Sequence, residues 1–184
     1  MSETTPTLLA ALVQQLANQA NGAPGHDTAA VNALRSSGLD NFRTLGLPTP
    51  RMEDWKYTNV RAIERRDFRL GDSTNADEAQ DYLSLGAGAD AACTLVFING
   101  HLSTLHGAVP DGVTLLGLDE ALRRDPDAVL AVLGKLAPSE SQGAAHGFVA
   151  LNAAALTDGV FLHIRDEVTV AQPINLVFVS TADG

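Results

Sequence analysis

Apolar residues at the start of the chain recur at helical spacing and predict two helices that pack against each other. The first stripe consists of Leu8, Leu9, Leu12, Val13 and Leu16. Thr5-Pro6 is a typical helix start and Asn21-Gly22 a typical end. The second stripe consists of Val31, Leu34, Gly38, Phe42 and Leu45. It begins after Asp27 or Thr28 and ends at Gly46, where a C-terminal cap is expected, and Gly38 allows a break inside it.

The stretch after these helices joins them to the rest of the chain. Residues 47–50 are predicted to be extended, because a residue that precedes proline is disfavoured in the helical region. Arg51–Thr58 follows and holds Trp55, the only tryptophan, together with Tyr57. Residues 71–91 are poor in large apolar groups, which predicts a linker with one or two helical turns around Glu78 to Leu83.

From Cys93 onward the pattern changes to short strands. Cys93–Ile98 is largely apolar and precedes Asn99-Gly100, the strongest short signal for a hairpin. A return strand is therefore expected over Leu102–Leu105. Another short strand is expected over Val113–Leu116, where aliphatic residues cluster again.

The last third of the chain combines short helices with closely spaced strands. Asp119 is expected to cap one short helix and Pro126 to begin a second, and a third helix is expected over Phe148–Leu156 after a loop at 138–147. The expected strands are Val160–Ile164, Val168–Val170 and Ile174–Ser180. Short strands with short connections favour a sandwich or a β-solenoid, although too few are present to measure a repeat. The fold class is therefore expected to be α+β.

The last strand is apolar on both faces. Ile174, Leu176 and Phe178 alternate with Asn175, Val177 and Val179. A strand of this kind is normally covered on both faces. Only residues 180–184 follow it, so we expect the end of the chain to be structurally unfinished and the short form to self-associate.

The net charge of the chain argues against one class of function. The chain has 184 residues and a formal net charge of −10, which argues against non-specific nucleic-acid binding. Residues 51–69 are an exception, because six basic and four acidic residues give that stretch a net charge of +2. The stretch is either a docking patch for an acidic partner or an ordinary solvated surface of mixed charge.

Cysteine usage and the chain start indicate a compartment. A single cysteine excludes a disulfide framework and is typical of a reducing environment. The first residues carry an acid and no Lys or Arg, unlike a secretory signal, and no apolar run approaches the length of a membrane span. A cytoplasmic protein is expected.

Candidate metal or catalytic groups are few and scattered. Cys93 begins an apolar strand and has no companion cysteine, so it is expected to be a buried small hydrophobe. The histidines are His26, His101, His106, His146 and His163. His101 and His106 are an odd number of residues apart, so on a regular strand they face opposite sides and do not share a metal. No phosphate loop or nucleophile elbow is present, so we expect no catalytic, metal or cofactor-binding residue in this chain.

Two aromatic residues in the connecting stretch are candidates for partner binding. Trp55 and Tyr57 belong to the residue types that favour protein interfaces. The alternative is that both fasten this stretch to the core of their own domain.

Three segments, in order, resemble the SufB/SufD family of iron–sulfur cluster assembly proteins. The first is Gly46–Thr58, with its Leu-Pro-Thr and Glu-Asp-Trp-Lys-Tyr-Thr runs. The second is Phe148–Asn152 with Asp158–Ile164, and the third is Gln172–Phe178. Together they are specific, although each alone is weak. The Trp-Lys-Tyr-Thr run resembles the SufD branch of the family more than the SufB branch.

The resemblance implies a fold and partners. Family members have a helical N-terminal region, a right-handed parallel β-helix and a helical C-terminal region. The expected segments here are a helical region with a linker over 1–92, a mixed α/β segment over 93–157 and the first, truncated turns of the β-helix over 158–184. The implied role is that of a non-catalytic scaffold subunit, which pairs with SufB through the β-helix and with the SufC ATPase through C-terminal parts. The family's proposed iron- and cluster-related Cys and His residues lie later than Gly184.

Two other classes of protein stay open on the residues alone. One is a β-solenoid enzyme such as a histidine-dependent acyltransferase, which normally shows a six-residue repeat. The other is a free-standing α+β interaction module.

Overall fold

A computed structural model describes residues 8–19, 25, 27–64, 81–83, 90–136 and 146–181. The helices are α1 (Leu8–Gln19), α2 (Ala29–Leu45), α3 (Arg61–Glu64), α4 (Leu118–Arg124), α5 (Pro126–Val132) and α6 (His146–Ala154), with a 3₁₀ turn at Glu53–Trp55. The strands are β1 (Cys93–Ile98), β2 (His101–Gly107), β3 (Val113–Gly117), β4 (Val160–Ile164) and β5 (Ile174–Val179). These elements confirm the α+β class and the helical start of the chain.

Several sequence-based predictions lie outside the described residues. They are the helix start at Thr5-Pro6, the helix end at Asn21-Gly22, His26, most of the linker 71–91 and most of the loop 138–147. The β-helix stays a prediction, because the described strands form one three-stranded and one two-stranded sheet.

The chain divides into two compact units, each made of two separate stretches. One unit is Met1–Arg69 with Asp125–Leu156, and the other is Leu70–Arg124 with Thr157–Gly184. The first therefore contains the helices α1 to α3, α5 and α6. The second contains all five strands and α4. The consecutive segments 1–92, 93–157 and 158–184 stay a prediction about the order of element types along the chain.

The helical unit is built around the packing of α2 on α6. Gly38 lies in the middle of α2 and does not break it, because α6 passes directly over this position. A Cβ atom at Gly38 would lie 2.7 Å from the backbone nitrogen of Ala154 and 2.9 Å from the carbonyl oxygen of Ala150. Glycine therefore allows a helix–helix approach that any side chain would prevent.

A buried arginine fastens the same two helices. Arg35 is only 6% exposed and lies on the apolar stripe of α2, between Val31 and Gly38. Its Nε donates to the carbonyl oxygen of Leu156, just beyond α6, at 2.9 Å, and one Nη donates to Asn32 at 3.2 Å. Desolvation by burial lowers the pKa of this guanidinium. A carbonyl beyond a helix end has no partner inside the helix, so the arginine supplies one.

The strand unit has β1 at its centre. β1 pairs antiparallel with β2 and parallel with β5, so the order of the three-stranded sheet is β2-β1-β5. The second sheet consists of β3 paired antiparallel with β4. Residues of β1 are buried on both faces, as expected for a central strand covered on both sides.

The core of this unit lies between the two sheets. Cys93, Leu95 and Phe97 of β1 form a buried cluster with Leu115 of β3. On the opposite face of β1, Val96 and Ile98 pack with Tyr82, Leu83, Val177 and Val179. The carboxylate of Asp158, just before β4, joins the two sheets because it accepts a hydrogen bond from the backbone nitrogen of Leu102 in β2 at 2.8 Å. It also accepts from the backbone nitrogen of Gly159 at 2.7 Å.

The β1–β2 hairpin has the turn that its sequence predicts. Asn99 and Gly100 both have positive φ, 50° and 88°, as a two-residue hairpin turn of this class requires. Asn99 also holds the end of β5, because its Oδ1 accepts from the backbone nitrogen of Thr181 at 3.0 Å. The return strand is longer than predicted and contains a bulge opposite Val96 and Phe97, where Ser103 is the extra residue.

Two local predictions are wrong. Val168–Val170 is not a strand: the chain turns at Glu167, which has a φ of 63°, and the nitrogen of Val168 donates to Arg165. Val168 and Val170 are half-buried and Thr169 is exposed. Alternating burial of this kind gives the apolar–polar alternation of a strand without strand pairing. Asp119 does not precede α4 but lies in its first turn, since the helix begins at Leu118.

Candidate functional site

The stretch with the two aromatic candidates is an ordered turn in the helical unit. Pro48 is fully buried, and the start of α6 approaches closely at Gly147, where a Cβ atom would collide with the carbonyl oxygen of Gly46. The turn is then closed by backbone hydrogen bonds Met52–Thr49, Trp55–Met52, Lys56–Glu53 and Thr58–Trp55, at 2.9 to 3.3 Å. The segment thus has a defined shape.

Trp55 and Tyr57 have different environments. The Trp55 ring is half-buried and lies 5.4 Å from the ring of Phe148, centroid to centroid, at 38°. Trp55 therefore contacts a residue of its own unit. This agrees with the alternative in which the tryptophan fastens its stretch to the core of its own domain. Tyr57 is 92% exposed, and its ring has Lys56 Nζ 5.6 Å from the centroid. Of the two candidates, Tyr57 is the one whose ring is available to a partner.

Charges around Tyr57 are mixed. Arg51, Lys56 and Arg61 are exposed, and so are Glu53 and Asp54. Lys56 Nζ lies 3.9 Å from a carboxylate oxygen of Glu53, with both side chains more than half exposed. Exposed pairs of this kind contribute little stability. In the described part of the 51–69 stretch, the surface therefore carries both signs of charge.

Cys93 is buried in the strand core. It is 2% exposed, and Gly107 of the neighbouring strand lies so close that a Cβ there would be 2.9 Å from the Cα of Cys93. Desolvation raises the pKa of the thiol above its ordinary value. A thiol that stays protonated is a poor nucleophile and a poor metal ligand, so the environment of Cys93 is that of a packing residue.

His101 and His106 share one face of β2, which corrects the expectation that they face opposite sides. His101 pairs with Ile98 and His106 with Thr94, and these two positions lie on the same face of β1. The bulge at Ser103 adds one residue between them and so reverses the parity of the strand. They still lie about 13 Å apart along the strand at four ladder steps of about 3.3 Å, too far to share a metal ion.

The described residues contain no group of three His, Cys, Asp or Glu side chains that could hold a metal ion. His163 is exposed on β4 opposite Thr114, and the side chain of His146 lies outside the described part of the structure. Among the described helices, none is long and apolar enough to cross a membrane. The ligand-rich site that cluster binding needs is thus not found in this part of the chain.

Two residues with a clear structural task were not identified from the sequence. Arg35 stands at a helical interval after Val31 and before Gly38, so a charge inside an apolar stripe was the available signal. Asp158 precedes a glycine at a strand start, and nothing local shows that its carboxylate reaches Leu102. Both fasten elements together rather than bind a ligand.

The comparison with known families assigns the chain. Residues 10–176 match the family described as the SufBD protein N-terminal region, which covers most of the chain. No match is found among curated proteins. The matched range includes α2, the Tyr57 turn and all four strands β1 to β4. The chain therefore belongs to the SufB/SufD family, whose members take part in iron–sulfur cluster assembly by the SUF system.

Proposed function

We propose that this protein is a SufD-type, non-catalytic scaffold subunit of the cytoplasmic SUF machinery. The observation that carries the assignment to SufD is the Glu-Asp-Trp-Lys-Tyr-Thr run at 53–58, inside a chain that belongs to the SufB/SufD family. The run folds as an ordered turn with Trp55 inside and Tyr57 outside.

The partners proposed for it are a SufB-type subunit and the SufC-type ATPase. Tyr57 supports a role in protein contact, because an aromatic side chain that is 92% exposed on an ordered turn loses little entropy when a partner covers it. Its neighbours offer both a cation and carboxylates for polar contacts at the rim of an interface.

A scaffold role also agrees with the chemistry of the described residues. Cys93 is buried, and His101 and His106 lie four ladder steps apart on β2, so Cys93 is not an exposed nucleophile and these two histidines do not form a pair. No specific observation favours the acyltransferase alternative over this proposal.

Exchange of the N-terminal region in SufD and in SufB tests whether this chain belongs to the SufD branch or to the SufB branch of the family. Residues 1–176 would replace the matching region of SufD in one strain and of SufB in another, each strain lacking the corresponding gene. We expect rescue of growth under iron limitation, and of an iron–sulfur enzyme activity, only with the SufD chimera. Rescue only in the SufB chimera would place the chain in the other branch.

Variants of Tyr57 in the SufD chimera test whether this side chain contacts the partner subunits. Tyr57→Ala removes the exposed ring, while Tyr57→Phe keeps it. We expect the alanine variant to reduce co-purification with the partner subunits at least about tenfold, as loss of an interface anchor of ~1.4 kcal/mol or more would do, and the phenylalanine variant to retain it.

A further inference from the structure

The turn between β1 and β2 is fastened to the residues that end β5. The backbone nitrogen of Asn99 donates to the carbonyl oxygen of Val179 at 2.9 Å. The side chain of Asn99 makes two further hydrogen bonds: Oδ1 accepts from the backbone nitrogen of Thr181 at 3.0 Å, and Nδ2 donates to Thr181 Oγ1 at 2.9 Å. We refer to these two bonds as the Thr181 clamp. Both polar atoms of the carboxamide are therefore held by one residue that lies 82 positions later in the chain.

The residue pair that forms this turn is chemically labile. Asparagine is a thermolabile residue, and a following glycine, which has no Cβ, leaves its backbone nitrogen open for attack on the asparagine side chain. That nitrogen bonds to the side-chain Cγ and closes a five-membered succinimide ring. The carboxamide nitrogen leaves as ammonia with the proton that the glycine nitrogen gives up. Water then opens the ring at either carbonyl, which produces aspartate or isoaspartate. Asn99-Gly100 is a pair of this kind, and Gly100 is exposed.

The folded turn keeps the two reacting atoms apart in two ways. Ring closure requires the nitrogen of Gly100 and Cγ of Asn99 to come into contact with the correct alignment. Asn99 has a φ of 50° and Gly100 a φ of 88°, the left-handed conformation of a tight hairpin turn, in which the bond to Gly100 points away from the Asn99 side chain. The Thr181 clamp in turn prevents the side chain from rotating toward that nitrogen. Reaction therefore requires the turn to rotate and the clamp to break.

We propose that Asn99 is a deamidation site that the Thr181 clamp keeps closed and that opens when residues 179–181 detach from the turn. This detachment breaks the three hydrogen bonds of Asn99 while the core of β1, with Leu95 and Phe97, stays buried. Local opening of this kind costs less free energy than global unfolding. This inference does not depend on the proposed function.

The two products of the reaction have different effects on the turn. Aspartate keeps the main chain unchanged, its carboxylate accepts from both the nitrogen and the hydroxyl of Thr181, and Asp-Gly also forms tight hairpin turns. Isoaspartate carries the former side-chain carbon in its main chain, so the two-residue turn becomes one atom longer. The backbone nitrogen and the side chain of residue 99 then no longer reach Val179 and Thr181 together. Formation of isoaspartate therefore makes a local opening permanent.

Peptide mass spectrometry of the full chain after incubation at pH 8 tests the proposal, with fragmentation that distinguishes isoaspartate from aspartate. We expect Asn99 to react at least about tenfold more slowly in the folded chain than in the urea-unfolded chain. Thr181→Val keeps the shape of the side chain but removes the acceptor for Nδ2. It should speed the reaction in the folded chain about two- to tenfold, which is the effect of losing one hydrogen bond.

Two controls belong to the same experiment. Thr181→Ser keeps the hydroxyl and should leave the rate at Asn99 close to that of the unmodified chain. The sequence contains a second Asn-Gly pair, Asn21-Gly22, whose rate Thr181→Val should not change. Equal rates at Asn99 in the folded and unfolded chains, no effect of Thr181→Val, or a parallel increase at Asn21 would each overturn the proposal.

Low concentrations of urea distinguish local opening from global unfolding. Local opening exposes little surface, so the rate at Asn99 should stay constant until the unfolding transition begins. A rate that rises from the lowest urea concentration would mean that Asn99 reacts only in the unfolded chain, and the proposal would be wrong. Amide hydrogen exchange at Thr181 tests the effect of the product: it should be faster in the isoaspartate form than in Asn99→Asp. Equal exchange in these two forms would show that isoaspartate still permits the clamp and would overturn that part of the proposal.

Discussion

At the scale of single residues, Gly38 shows how one missing side chain sets a helix–helix distance. In a helix interior, alanine is normally favoured over glycine by about 1 kcal/mol. At Gly38, however, a Cβ would meet two backbone atoms of α6 and the Cβ of Ala153, and none of these atoms can rotate away. Steric cost is therefore expected to exceed the gain in helix propensity.

We predict that Gly38→Ala lowers the free energy of unfolding by about 1–3 kcal/mol, as overpacking typically does. Thermal and urea unfolding followed by circular dichroism would measure it. Gly159→Ala is the control, because a Cβ there meets Leu118 at 3.8 Å, an ordinary contact, and should change stability little. An equal or higher melting temperature for Gly38→Ala would show that α2 and α6 are less closely packed than described.

Cys93 gives a prediction about pH. Burial raises the pKa of its thiol, so the unfolded state loses the thiol proton first as the pH rises. The stability that Cys93 contributes is then complete below the unfolded pKa of about 8.5 and is lost above it, up to the folded pKa.

We therefore expect the native chain to react with a thiol reagent at pH 8 at least about a hundredfold more slowly than the urea-unfolded chain, because attack needs the exposed thiolate. Cys93→Ser provides the zero-reaction baseline. Equal rates in the two states would mean that β1 opens readily and that Cys93 is not a closed core position.

The histidines show where residue-level reasoning from the sequence stops. The parity rule for a regular strand is sound, but a bulge at Ser103 changes it. Ser103 also has a buried hydroxyl with no hydrogen-bond partner in the structure, so no local polar contact marks the bulge. The sequence does predict the helix end at Gly46 and the hairpin turn at Asn99-Gly100. Both depend only on the positive φ of these residues themselves.

At the scale of elements, hydrophobic periodicity predicted α2, β1, β4 and β5 with ends within a few residues of those observed, and it predicted the helix whose described part is α1. Such patterns work where one face of an element is buried. The prediction failed at Val168–Val170 because the two valines are half-buried although no strand in the described part of the chain pairs with them. The hydrophobic pattern indicates which side chains are buried. A strand also needs a neighbouring strand that pairs with its backbone N–H and C=O groups.

The junction of α2 and α6 leads to a prediction about Arg35. Arg35→Met keeps much of the side-chain volume but removes the hydrogen bonds to Leu156 and Asn32. We expect a loss of about 1.5–3 kcal/mol, typical of hydrogen bonds from charged groups. Denaturant unfolding would give the value.

Arg43→Met on the same helix is the matched control. Arg43 is about half exposed and pairs with Asp40 at 2.8 Å, and exposed pairs of this kind contribute at most about 1 kcal/mol. Equal losses for the two variants would show that the buried bond to Leu156 has no special weight.

At the scale of the whole molecule, the composition of each unit could not be predicted from the sequence. Residues 125–156 separate two parts of the strand unit in sequence, yet they fold with the helices. The pattern at 126–156 shows helices but carries no signal for their partner. The close fit of Gly38 to α6 spans more than 110 residues of sequence, and only the folded chain reveals it.

The distribution of potential ligands leads to a prediction about metal binding. The described residues hold a single buried cysteine and no group of three possible ligands. We therefore expect anaerobic reconstitution with iron and sulfide to leave less than stoichiometric iron and no cluster absorption. Stoichiometric iron that is lost in Cys93→Ser would contradict this expectation and make Cys93 a ligand.

The mixed pairing of β1 has a consequence for the order of folding. Its antiparallel partner β2 begins three residues after β1 ends, whereas its parallel partner β5 begins 81 residues after Cys93. Closing the longer loop costs more chain entropy, so the β1–β2 hairpin is expected to form early and β5 to dock late. Substitutions in the hairpin, such as Leu95→Ala, should then slow refolding, whereas Val177→Ala should mainly speed unfolding. A nascent chain would therefore hold a finished hairpin, with one side of β1 still unpaired, until the residues of β5 have left the ribosome.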